Sequence, residues 1–300
     1  MRPSIVASEC CAARFPPNTR SGFSYCLEQA FDGIEFDVQL TADARVVAHH
    51  DYLLNPRIAR DRSGNWLGAP YPAICRLTSS DLQKFDVGRY RPGSRELAEY
   101  PDYQPTDGEH IPSLIELLAL YNEMGAASTL WIELKSSPYQ RENSADPHEL
   151  ATRVIEAVTA HGVVHRTVLL AFEWDVLRFA RGLCAEVKLD FLTLDPKHIV
   201  ALNRKLGPID PYLLFGAFDP RRYDNSIPEA IAAAGGDWWG PHVNDVTEQD
   251  VANAQQLGLT VNLWGVGASD DAMSQALALN ADAITLSDAD RLDAKVRGAR

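Results

Sequence analysis

Short apolar or alternating runs recur along the chain, and each is followed by a stretch in which apolar residues return every three or four positions. A period of two marks a strand and a period near 3.6 a helix, so the alternation predicts parallel strands joined by crossover helices. Eight runs carry the strand pattern: residues 4–8, 33–39, 129–135, 167–172, 187–193, 237–242, 260–266 and 283–287. Between them, residues 18–30, 113–124, 147–161, 247–257 and 269–279 read as amphipathic helices, several opened by an Asn, Asp, Ser or Thr able to cap. Eight βα repeats argue for a sheet closed on itself, an α/β fold of the (β/α)8 TIM barrel type.

Two stretches interrupt the repeat. Residues 46–50 follow the second strand after TADAR and read as the return arm of a hairpin. Residues 51–112 are rich in Pro, Gly, Tyr and Arg. A structureless connection of that length is uncommon inside a compact domain, so it is expected to be a packed lid inserted after strand two. A lesser insertion spans 195–226, and the whole of 1–300 reads as a single domain.

Composition narrows the setting. The chain is 46% hydrophobic and 23% charged, enough apolar material for a full core, with no apolar run of membrane-spanning length. It holds 28 basic against 41 acidic residues, a net charge of −13, which repels nucleic acid and anionic bilayers unless a local basic patch overrides it. The expected partner is a small molecule. Five cysteines (Cys10, Cys11, Cys26, Cys75, Cys184) form no CxxC pair, so neither a disulfide scaffold nor a zinc knuckle is implied. The amino-terminal residues lack a secretory apolar stretch, and the expected compartment is the cytoplasm.

The chemistry gathers at strand ends. Glu35 and Asp37 in GIEFDVQLT are two apart, so on a strand both carboxylates point to one side. Glu133 and Lys135 in WIELK stand in the same relation on a neighbouring strand. Three converging carboxylates suit one hard divalent cation, Mg²⁺ or Ca²⁺, while ordinary rim salt bridges are the plainer alternative. His49 and His50 alternate across the hairpin arm, so only one faces the cleft, where an imidazole is a natural proton-transfer group.

These residues resemble the glycerophosphodiester phosphodiesterase family. The likeness rests on PPNT at 16–19, IEFDVQLT at 34–41, His50-Asp51, and IELK at 132–135, in the family's order and spacing. AFEWDVLRFAR and VNLWGV further along are similar to later family segments. The resemblance implies a divalent-metal phosphodiesterase acting on glycerol or related polyol diesters. In it Glu35, Asp37 and Glu133 would hold the cation, Lys135 would neutralise phosphate charge, and His50 would be one of two acid/base histidines.

The chain also departs from that pattern. The family's first His-Arg-Gly falls on Ser8, Glu9 and Cys10, and no histidine precedes His49. A second departure is Thr285-Leu286 where the family has Thr-Asp. Three outcomes are compatible with this. The enzyme uses a substitute proton donor, His242 in WWGPHVND or, behind it, Glu9; it acts on a diester with a more acidic leaving alcohol, such as the sugar-to-sugar opines of the agrocinopine type; or it is a non-catalytic binding relative. A rival class is a barrel enzyme using Mg²⁺ for enolate or aldol chemistry, with Lys135 as base or Schiff-base former. Ser8, Glu9, Phe172, Trp239 and Trp264 are candidate substrate contacts, although strand-end tryptophans such as Trp238, Trp239 and Trp264 more often fill core or rim. Arg57, Arg60 and Arg62 in the insertion would guide an anion inward or stand solvated.

Overall fold

The computed structural model describes residues 2–298. Eight parallel strands close into a barrel: β1 (Ser4–Ala7), β2 (Gly33–Leu40), β6 (Thr129–Leu134), β7 (Thr167–Ala171), β8 (Lys188–Thr193), β9 (Trp238–Pro241), β10 (Thr260–Leu263) and β11 (Ala283–Leu286). Each pairs with its sequence neighbour, and β1 pairs with both β11 and β2, which completes the ring. The (β/α)8 barrel expected from the pattern is therefore present. The hairpin arm β3 (Val46–Ala48) runs antiparallel along the outer end of β2.

Helices α1 (Arg20–Gln29), α4 (Leu114–Glu123), α5 (Pro147–Ala160), α6 (Trp174–Leu183), α7 (Pro196–Leu202), α8 (Ile227–Ala233), α9 (Glu248–Gln256), α10 (Asp270–Ala278) and α11 (Ala289–Gly298) are carried by the connections. Their starts are set locally. Thr19 accepts from the Gly22 N–H, and Ser113 with Glu116 and Thr247 with Asp250 form reciprocal caps that satisfy amides left free by the first turn.

Alternation decides which side chains enter the barrel. On β2, Ile34, Phe36 and Val38 pack among the helices, while Glu35, Asp37 and Gln39 point to the other side. Inside the barrel Val6, Trp131, Val168, Leu170, Leu192 and Ala283 make a separate apolar plug. The plug leaves little room. A Cβ at Gly240 would stand 2.6 Å from Leu192 Cδ2 and 2.8 Å from Asp190 Oδ1, closer than real contacts allow.

Residues 51–112 fold around a small core of their own, in which Leu54, Ile58, Ile74, Leu82, Val87 and Tyr90 are buried together with Val47 of β3. The stretch carries the short strands β4 (Arg60–Asp61) and β5 (Phe85–Asp86) and two short helices, α2 (Ser79–Leu82) and α3 (Arg95–Glu99). Arg60 ties it together, reaching Asp86 and Asp107 at 2.6 Å each. No helix of the described residues is long and apolar enough to cross a membrane.

Candidate active site

Strand pairing brings the acids together. Asp37 on β2 lies opposite Glu133 on β6, with Glu35 one pleat earlier on the same side, so each strand delivers its carboxylates to the barrel mouth. One oxygen from each of Glu35, Asp37 and Glu133 falls within 4.8 Å of the others. Lys135, just past the end of β6, places Nζ 2.8 Å from Glu133 Oε1 and 3.4 Å from Asp37 Oδ1. Glu35 Oε2 accepts from the Ser8 hydroxyl (2.8 Å) and the Glu9 N–H (2.9 Å).

Burial and mutual repulsion govern the charges. Glu35 is pushed well above the usual carboxylate range by desolvation and by the facing Asp37 and Glu133. Glu133 is also raised, chiefly by burial, against the opposing pull of Lys135. Asp37 is desolvated as well, yet His50, Lys135 and the Asn18 amide hold it below its ordinary value. Lys135 stays charged, because Glu133 and Asp37 outweigh its desolvation. Three hard oxygen donors around one point, two of them uncomfortable as neighbouring anions without compensation, are a donor set that fits a divalent cation.

These groups open into a cavity of about 240 Å³. Ser8, Glu9, Glu35, Asp37, His50, Glu133, Lys135, Phe172 and Trp264 line it, together with Thr285 and Leu286. The His50 side chain is half exposed, its Nδ1 lies 3.0 Å from Asp51 Oδ1, and although Lys135 and desolvation oppose it, Asp37, Asp51 and Glu9 raise its affinity for a proton. Glu9 is pushed up to about 7 by desolvation. Glu9, Cys10 and Cys11 occupy the left-handed region in succession, with φ of 47°, 59° and 64°, turning the chain so that Glu9 stands over the cup. Burial, then the charge of Glu35, drives the Cys10 thiol well up, so it stays protonated and is no nucleophile.

Two candidates lie outside the cavity lining. His242 accepts the Asn244 N–H at 3.2 Å as a helix cap and packs edge-on to Trp264, and the cavity-lining residues do not include it. Trp239 is buried, donating its indole N–H to Thr193 at 2.9 Å. Of the two adjacent histidines, His50 faces the cup, whereas His49 is buried and lowered to about 4 by desolvation. Among the insertion's arginines, Arg60 is held by Asp86 and Asp107, Arg62 donates to the Gln83 carbonyl, and Arg57, at 2.5 Å from Glu96, lines a neighbouring cavity of about 240 Å³ that shares Glu9, His50 and Ser287 with the cup. A larger groove of about 890 Å³ lies on the flank beside α4 and α5 and contains none of these residues.

Residue-by-residue reading of the sequence missed two supports. Asn18 donates to Asp37 Oδ2, and its left-handed backbone (φ 56°) was foreshadowed only by its place in PPNT. Asp190, at the barrel axis, accepts from the Asn262 amide (2.9 Å), and Asn262 in turn accepts the Thr285 hydroxyl (2.8 Å), so the two polar groups on the cavity floor are held from below.

Residues 10–291 match the Glycerophosphoryl diester phosphodiesterase family. The chain belongs to that family. Membership makes it a phosphoric diester hydrolase, of a family that is generally dependent on a divalent metal. It is 28% identical over 198 residues to a glycerophosphodiester phosphodiesterase of Bacillus altitudinis, covering 66% of this chain and 69% of that one. A second relative, from Caldanaerobacter subterraneus subsp. tengcongensis, is 25% identical over 235 residues, 77% of this chain and 80% of that protein. Among solved structures, a candidate glycerophosphoryl diester phosphodiesterase from Silicibacter pomeroyi superposes with a TM-score of 0.86 at 28% identity, covering 99% of this chain and 94% of that one. An Oleispira antarctica phosphodiesterase in complex with the product sn-glycerol-3-phosphate shares the fold, with a TM-score of 0.69 at 18% identity over 99% and 97% of the two chains.

Proposed function

We propose that this family member hydrolyses small glycerol or sugar phosphodiesters to a phosphate monoester and an alcohol, with a divalent cation held by Glu35, Asp37 and Glu133. The single observation that carries the reading is the meeting of those three carboxylates with Lys135 on the floor of one cavity. A bound Mg²⁺ or Ca²⁺ supplies charge stabilisation at the phosphoryl oxygens. Lys135 adds a fixed positive charge beside the phosphate.

Proton transfer falls to His50 and Glu9. His50 is oriented by Asp51 at Nδ1, which leaves Nε2 for the substrate. Glu9 stands where the family has an arginine and lines the cup beside His50, so it, rather than His242, takes the part of the missing histidine. Ser8 fixes Glu35 and stays out of the proton path. Phe172 and Trp264, packed edge-on at 5.3 Å, give an apolar wall for the carbon face of a glycerol or sugar.

The neighbouring cavity is suited to the alcohol beyond the phosphate. Its lining sets Glu9, Asp51, Asn55, Arg57 and Arg95, side chains that hydrogen-bond hydroxyls, beside apolar and aromatic residues such as Ile58, Tyr90 and Tyr100 on which a sugar face could rest. This favours a polyol or sugar as leaving group.

A panel of glycerophosphocholine, glycerophosphoglycerol and sugar-to-sugar diesters, assayed with Mg²⁺ or Ca²⁺ and with chelator, tests the proposal. Metal-dependent release of a monoester, lost in Glu35→Gln and reduced in Glu9→Gln about 10²-fold or more, is the expected result. Turnover that survives chelation, or Glu9→Gln at the wild-type rate, would overturn it.

A further inference from the structure

The excursion after β8 carries a surface unlike the rest of the molecule. It leaves the barrel at the carboxyl end of the strands, the end that holds the cup. There the Asp195 N–H donates to Asp245, in the connection after β9, and Tyr139, after β6, donates its hydroxyl to the Asp210 carbonyl, both at 2.8 Å. Phe215 anchors it inward, buried and edge-on to Trp174 at 4.7 Å. Four large aliphatic side chains turn outward instead. Val200, Leu202, Leu206 and Leu213 are 42%, 74%, 46% and 53% exposed, four of the ten exposed large hydrophobics among the described residues. Scattered exposed leucines need no explanation. Four on α7 and the turns packed against it, within residues 200–213, form a concentration.

Charge sets the same segment apart. Across the excursion, residues 195–226, the sequence holds five basic residues (Lys197, Arg204, Lys205, Arg221, Arg222) and four acidic ones (Asp195, Asp210, Asp219, Asp224), a local +1 in a chain of −13. Asp195 closes on Lys197 and Asp219 on Arg221. Arg204, Lys205 and Arg222 have no carboxylate partner among the described residues. Exposed aliphatic groups interleaved with unpaired cations are the chemistry of an element lying on a lipid surface.

We propose that this excursion docks on an anionic bilayer, bringing the end of the barrel that carries the cup to the lipid headgroups. The remaining surface is strongly acidic and is repelled by such a bilayer, so contact is confined to one face and the orientation is selected by charge. A second copy of the chain is a poor occupant, because a two-fold interface would set the unpaired Arg204, Lys205 and Arg222 against their own copies. The inference is independent of which diester the cup hydrolyses.

The test is cosedimentation of the full chain with vesicles of pure phosphatidylcholine and with vesicles rich in phosphatidylglycerol, at low salt and at about 0.5 M salt, where the Debye length shrinks to a few ångströms. Binding is expected only to the phosphatidylglycerol vesicles at low salt. It should fall on the order of tenfold or more in Arg204→Glu/Lys205→Glu and in Leu202→Ser/Leu206→Ser, with hydrolysis of a water-soluble diester unchanged in both. Should the leucine variant melt early, the charge-reversal pair decides alone. No binding, equal binding by the charge-reversed protein, or light scattering that finds a dimer dissolved by the leucine changes would each overturn the proposal.

Discussion

Asn18 grips Asp37 at both ends, donating its amide to Oδ2 at 2.8 Å and accepting the Asp37 backbone N–H on its own oxygen at 2.9 Å. The pair is buried, so each bond is made without competing water. Asn18→Ala should cost about 1–3 kcal/mol of stability and weaken cation binding roughly 10- to 100-fold, by freeing the carboxylate to rotate. Calorimetric titration with Mn²⁺ or Mg²⁺ beside a urea melt checks both. An unchanged affinity would mean that the strand alone orients Asp37.

Lys135 neutralises two buried acids at once. Lys135→Met is expected to destabilise the cation-free protein by roughly 3–5 kcal/mol, since Asp37 and Glu133 are left buried and unpaired. Added divalent cation should recover part of that loss while activity stays low. A melting temperature that ignores both the substitution and the cation would contradict this account of the cup.

A ligand that binds only the folded state raises the melting temperature. Millimolar Mg²⁺ or Ca²⁺ should therefore stabilise the wild-type protein, and chelator should reverse the shift. In Glu35→Gln the shift should vanish, and the cation-free variant should melt no lower than wild type, because a carboxyl disfavoured by burial and by Asp37 and Glu133 has been replaced by a neutral amide. Differential scanning fluorimetry reads all four conditions. A shift that persists in the variant places the cation elsewhere.

Asp190 gives a pH signature from beneath the cup, where it holds Asn262. Desolvation raises its carboxyl to about 7, against roughly 4 in an unfolded chain, and its Oδ1 has no partner. The unfolded chain thus ionises first as pH rises, so stability falls between pH ~4 and ~7 and levels off above, by an amount on the order of 4 kcal/mol. Asp190→Asn removes this slope. Urea midpoints should agree most closely near pH 4.5 and separate in favour of the variant at pH 7.5; parallel curves would show that Asp190 does not titrate in this range.

Period-two arithmetic made much of the cup visible before any coordinates. Glu35 and Asp37 must share a side because Phe36 lies between them, and the neighbouring Glu133 follows from strand order. His242 and Trp239 show where that arithmetic stops: a residue at a strand end enters the mouth or caps the next turn according to contacts that spacing does not encode. His242 is taken by the Asn244 amide, and Trp239 by Thr193. Asn18 and Asp190 were hidden for the opposite reason, since their partners lie 19 and 72 residues away and nothing local marks them. β9 and β10 are shorter than the pattern predicts, although just beyond them His242 and Trp264 still join in an isolated parallel bridge.

Glu35 has two duties, its Oε2 pinning the backbone turn at Ser8 and Glu9 while its carboxylate also meets Asp37 and Glu133 at one point that could hold an ion. Loading the ion and shaping the neck that carries Glu9 are thereby a single equilibrium. A protein engineer who swaps position 35 to change metal preference will also reshape the entrance, and selectivity for metal and for alcohol will drift together.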